Sequence, residues 1–104
     1  MIFVQTLSFI CHDEEALNAL FDQWGAETSS TIGYWQSVVM KDRDRPDRYT
    51  VWVEFPSYDE AMKNSSRPET DSYAQRLFAM VDGEVEYSNY DLVGGAASVV
   101  GPGC

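Results

Sequence analysis

A strand that runs without a linker into a helix start constrains this chain most. Between Arg48 and Phe55, Tyr49, Val51, Val53 and Phe55 share one face, and Thr50, Trp52 and Glu54 share the other. Pro56 ends the strand, since it has no amide hydrogen for a ladder. Ser57 can then accept from an orphan amide of the next turn, and Glu60 follows three residues later, the spacing of a capping box. The helix carries Ala61 and Met62 inward and ends near Ser65 and Ser66, where Pro68 interrupts it.

The rest of the chain repeats this strand-then-helix unit. Residues 2–11 read as a strand with apolar residues on both parities, which signals burial on both sides. Asp13 can cap a helix whose first turn holds Glu14 and Glu15. Leu17, Leu20, Phe21 and Trp24 follow at i, i+3, i+4 and i+7, and Gly25 is the expected end. Ser29, Ser30 and Thr31 form a connection. Tyr34 to Lys41 is a second strand, Asp42 to Asp47 a polar loop, and Arg48 to Phe55 a third strand, hence an antiparallel hairpin. After Pro68 a second helical segment carries Tyr73, Leu77, Met80 and Val81, and Asp82-Gly83 closes it. Glu84 to Val93 is the last strand. Residues 94–104, Gly-rich and small, read as a flexible or weakly docked tail.

The order β-α-β-β-α-β is the ferredoxin-like pattern, an α+β fold with a four-stranded antiparallel sheet. Right-handed crossovers put both helices on one face. The other face needs a cover, because the strands are apolar on both parities, as Trp35 and Val39 opposed to Tyr34, Val38 and Met40 show. A 104-residue domain buries only about two-thirds of its unfolded surface. The expected cover is a second copy, in a homodimer with its sheets face to face.

Charge and composition exclude several partners. The chain has 17 acidic and 7 basic residues, a net charge of −10. Nucleic acid and anionic membranes need clustered cations. Lys41, Arg43, Arg45 and Arg48 cluster, but Asp42, Asp44 and Asp47 are interleaved with them. No apolar run approaches the roughly 20 residues of a membrane span, and the N-terminus lacks the pattern of a signal peptide. Two cysteines, Cys11 and Cys104, make neither a disulfide framework nor a zinc site, which fits a reduced, cytoplasmic protein. No His/Cys/Asp spacing points to a metal.

The stretch Tyr49 to Met62, the Pro68-Glu69-Thr70 break, Tyr73 to Val81 and a closing strand with Tyr87 and Tyr90 together resemble the antibiotic-biosynthesis-monooxygenase-like members of the dimeric α+β barrel superfamily. The match spans residues 2–93 and rests on packing and capping patterns. The resemblance implies a small pocket between helices and sheet in each subunit; it does not imply a shared catalytic residue, and no cofactor is expected. Haem-degrading members resemble one another in an axial histidine on the second helical region. Residues 57–82 of this chain contain none, so haem degradation is not expected.

Five residues are candidates for a site. His12, the only histidine, is either a general base or axial ligand at the pocket mouth, or an exposed residue in the turn before Asp13. Trp52 and Tyr73, with Tyr34 and Trp35, either line an aromatic pocket or belong to core and dimer packing. Arg67, before Pro68, could hold a substrate carboxylate or phenolate, or pair with Glu69 at the surface. Asn64 beside it offers a polar group in a loop. Two functions stand open. One is a cofactor-independent monooxygenase acting on a small aromatic or quinone-like molecule. The other is a non-catalytic dimeric ligand-binding or accessory protein, such as a stress-associated one.

Overall fold

A computed structural model describes residues 1–31 and 36–94. Its elements are β1 (Phe3–Cys11), α1 (Glu14–Ser29), β2 (Gln36–Lys41), β3 (Arg48–Phe55), α2 (Tyr58–Ser65), α3 (Pro68–Met80) and β4 (Val81–Asp91). The strands form one antiparallel sheet in the order β2-β3-β1-β4, the ferredoxin-like arrangement, with the second helical unit broken in two before Pro68. The tail, from residue 95, and the expected strand start at Tyr34 and Trp35 lie outside the described residues.

Register sorts the side chains between two faces. Leu7 stands opposite Val51 and Tyr87, and Val39 also opposes Val51, so these share the face that the helices cover. Phe3, Leu7, Phe9, Tyr49, Val51 and Phe55 form the core there with Leu17, Leu20, Phe21, Ala61 and Leu77. The opposite face carries Thr6, Ser8, Thr50 and Glu54 as well as Val38, Met40 and Trp52. It is therefore mixed where the sequence pattern suggests a more apolar surface. Ser8 and Thr50 share a hydrogen bond of 2.9 Å on it.

Helix α1 starts as its sequence demands: the Asp13 carboxylate accepts from the Ala16 amide at 3.0 Å. It does not stop at Gly25. The Ser29, Ser30 and Thr31 hydroxyls donate to the Ala26 and Glu27 carbonyls, capping a longer helix that extends the apolar stripe to Thr28. At α2 only half of the capping box forms. Ser57 accepts from the Glu60 amide at 3.2 Å, while the Glu60 carboxylate is engaged by Lys63 at 3.2 Å. Met62, expected to be buried, is partly exposed, whereas Asn64 is buried.

Strand β4 begins directly after Met80, so Asp82 and Gly83 belong to it rather than closing the helix. Ile10 pairs with Asp82 and Ser8 with Glu86, so β4 carries two extra residues against Phe9. Gly83, at φ 92°, lets the backbone make this bulge. The ends of the strands nearby are tied by charge. His12 meets Asp82 at 2.9 Å and Asp47 at 3.7 Å, bridging the β2–β3 loop to β4. Glu14 accepts from Tyr49 at 2.9 Å and pairs with Lys41 at 3.0 Å, and Lys41, then Tyr49, hold its carboxyl below the usual carboxylate range.

Two outcomes follow. Leu77→Ala removes a fully buried side chain and should destabilise the fold by about 2–5 kcal/mol, whereas exposed Gln75→Ala should change stability by less than about 0.5 kcal/mol. Urea unfolding measures both, and equal small effects would contradict the packing of α3. The hydrogen bond to Asp82 raises the His12 pKa above the usual histidine value. The imidazolium contact is thus present at low pH and lost as pH rises through that raised value. In an NMR titration Asp82→Asn should lower the His12 pKa; an unchanged value would refute the contact.

Candidate functional site

A cavity of about 280 Å³ opens between the three helices and the sheet. Its walls are built by elements already described. The α1 stripe supplies Phe21, Trp24 and Thr28, the sheet supplies Leu7, Val53 and Tyr87, and α3 supplies Phe78. Phe21 stacks on Trp24 at 5.3 Å, and Trp24 stacks on Tyr73 at 5.7 Å, so an aromatic ladder runs from the wall to Tyr73 behind it. Arg76 lies 5.3 Å over the Tyr73 ring and closes that ladder toward solvent.

The polar groups gather where α1 meets the α2–α3 break. Asn64, on the last turn of α2, lines the cavity with 7% of its surface exposed. Its Oδ1 accepts from Arg67 Nη1 at 3.1 Å and from Thr70 Oγ1 at 3.2 Å. Arg67 also pairs with Glu27 of α1, and Glu69 stands 3.8 Å away. Thr28 has no exposed surface, and its hydroxyl has no hydrogen-bond partner among the described residues. Partial burial raises the Tyr87 hydroxyl, which remains nearly half exposed, above the usual phenol value. Asp71 is the carboxylate in the wall.

Of the residues singled out in the sequence, Asn64 lines the cavity directly. Arg67 touches Asn64 and Tyr73 touches Trp24, each one layer behind the wall. His12 is exposed beyond the end of β1 with Asp47 and Asp82, away from the wall residues. Trp52 lies on the opposite face of the sheet, in register with Thr6 and Val38. Sequence reasoning missed Asp71, Thr70 and Glu27, and above all Thr28. It continues the Leu17–Phe21–Trp24 stripe by one more turn, and a hydroxyl on that stripe was the available signal. Among the described residues, no cluster of three His, Cys, Asp or Glu side chains could hold a metal. No helix among them is long and apolar enough to cross a membrane.

No protein-family model matches the chain, and no curated protein matches it. Solved structures do. SnoaB from Streptomyces nogalater, a cofactor-independent oxygenase, superposes with a TM-score of 0.79 at 15% identity, over 90% of this chain and 95% of SnoaB. A Caulobacter crescentus protein provisionally named an antibiotic biosynthesis monooxygenase gives 0.77 at 10% identity, over 89% of this chain and 91% of that one. A Shewanella oneidensis protein gives 0.71 at 21% identity, over 86% and 88%. The chain has the ferredoxin-like fold of the antibiotic-biosynthesis-monooxygenase-like proteins, as the resemblance across residues 2–93 implied.

Proposed function

We propose that this chain binds a small aromatic or quinone-like molecule in the helix–sheet cavity and oxygenates it without a cofactor. The cavity carries the reading: about 280 Å³, aromatic on several sides, with a few convergent polar groups at one end. Likeness in fold to a cofactor-independent oxygenase supports the reaction type. In that chemistry an activated ring CH₂ loses a proton, and the carbanion reacts with O₂. One oxygen atom ends in a new ring carbonyl and the other leaves as water. The substrate supplies the electrons, so the protein's work is orientation, water exclusion and stabilisation of the oxyanion.

Asn64 is our candidate for the ligand contact, with Arg67 and Tyr73 supporting the wall behind it. Asp71 is the carboxylate that reaches the cavity, and we assign it the first proton transfer. His12 and Trp52 stand outside the wall. The position of His12 favours the second reading, an accessory protein that binds the same ligand class without turning it over.

We further propose that the open sheet face is covered by a second copy. Val38, Met40 and Trp52 are each between about a third and a half exposed on it, and Tyr90 is just over half exposed. Such a patch marks an association surface. The polar residues between them, Thr6, Ser8 and Thr50, would be met by pairing across the interface.

A thermal-shift screen of hydroxylated polycyclic aromatics and quinones should raise the melting temperature by several degrees for a ligand at about 100 times its Kd. No shift with any of them would sink the ligand class. With a binder in hand, oxygen uptake by metal- and flavin-free protein should fall at least about tenfold in Asp71→Asn. Binding without any uptake by the wild type would support the accessory reading. In sedimentation at micromolar concentration the chain should be a dimer, and Trp52→Glu should shift it toward monomer. A monomeric wild type would contradict the face-to-face packing.

A further inference from the structure

The Asn64 amide has only one orientation that its neighbours permit. A guanidinium has five N–H donors and no acceptor, so the Asn64 atom facing Arg67 Nη1 must be the oxygen. The Thr70 hydroxyl donates to the same oxygen. With Oδ1 committed twice, the amide NH₂ is the end left for a ligand, and no hydrogen bond from it is made among the described residues. The guanidinium is itself held. Glu27 of α1 pairs with it, and both side chains are partly buried, at 27% and 19% exposed for Glu27 and Arg67. Separating this partly buried pair would leave a poorly solvated charge, which opposes movement of the guanidinium.

We propose that Glu27, Arg67 and Thr70 are positioning residues that lock Asn64 as a hydrogen-bond donor into the cavity, so that the site selects ligands presenting an acceptor oxygen, a ring carbonyl or phenolate. Arg67 acts through Asn64 and does not meet the ligand. The fully buried Thr28 hydroxyl, without a partner among the described residues, is the second polar contact at the same end of the cavity. It can donate or accept, and so serves a ring hydroxyl beside the carbonyl that Asn64 meets. This inference rests on the cavity being the ligand site, as proposed above, but not on the chain being a catalyst.

The test uses three flat tricyclic probes of one shape: 9-fluorenone, with one carbonyl acceptor; fluorene, with none; and 9-fluorenone-4-carboxylate. Binding to the full chain is read by tryptophan fluorescence and calorimetry. Wild type should bind fluorenone about threefold to tenfold more tightly than fluorene, the worth of one hydrogen bond. Asn64→Leu should abolish that preference and leave fluorene affinity within about twofold. Arg67→Met combined with Glu27→Gln, which removes both charges, should do the same, and Arg67→Lys should keep part of the preference. Thr70→Val, a milder change, should reduce it without altering thermal stability much.

Merely structural roles would weaken both probes alike. Equal binding of fluorenone and fluorene by wild type would overturn the proposal and leave the cavity reading intact. So would a full preference surviving in the Arg67→Met, Glu27→Gln variant. Tighter binding of the carboxylate than of the parent ketone would also overturn it, by showing that a cation meets the ligand directly. Failure of both neutral probes to bind wild type would overturn the cavity reading and this inference together.

Discussion

Everything that makes the cavity hangs from the pairing of β1 with both β3 and β4. That central strand is hydrogen-bonded on each edge and sends Phe3, Leu7, Phe9 and Cys11 under the helices. Each crossover must then return a helix to the same face. The helices meet the sheet closely near Phe9, Leu17, Leu20 and Leu77, where side chains are nearly or fully buried. Nearer the start of β1, where Gln5 stands instead of a large apolar residue, the layers leave a space. Gln5 and Ser37, both opposite Val53, give the sheet wall of that space its polar side chains.

The break before Pro68 has a second consequence beyond ending a helix. A continuous helix would bond the Arg67 and Asn64 region into a regular ladder. Pro68 instead starts α3 afresh, leaving Arg67 extended at its N-terminus. The turn brings Arg67 and Thr70 round to the Asn64 amide and lets Arg67 reach across to Glu27. One imino acid thereby links three helices through a charged side chain. It also puts the polar end of the cavity at the junction of all three.

Much of this was legible in the sequence, and the misses have identifiable causes. Strand periodicity from Tyr49 to Phe55 and the caps at Asp13 and Ser57 were read directly, because each depends on residues within a few positions. Gly25 misled as a helix end, because hydroxyls of Ser29, Ser30 and Thr31 cap the carbonyls in its place. The start of β4 at Val81 depends on a bulge against Phe9, a long-range pairing that local pattern does not encode. Asn64 and Arg67 could be singled out because a proline break marks a corner. Their hydrogen bond, and the orphan hydroxyl of Thr28, are tertiary facts. His12 and Trp52 drew attention through chemistry and rarity, properties that carry no information about which side of a sheet a residue takes.

The central claim is that the ligand site is the helix–sheet cavity, with its donor at Asn64, rather than the exposed sheet face. A ¹⁵N NMR titration with 9-fluorenone tests it most directly. The account predicts shifts in the Trp24 indole, the Thr28 backbone amide and above all the Asn64 side-chain NH₂, which should move downfield on donating to the carbonyl. Shifts confined to Val38, Thr50 and Trp52, with the Asn64 amide unmoved, would contradict it.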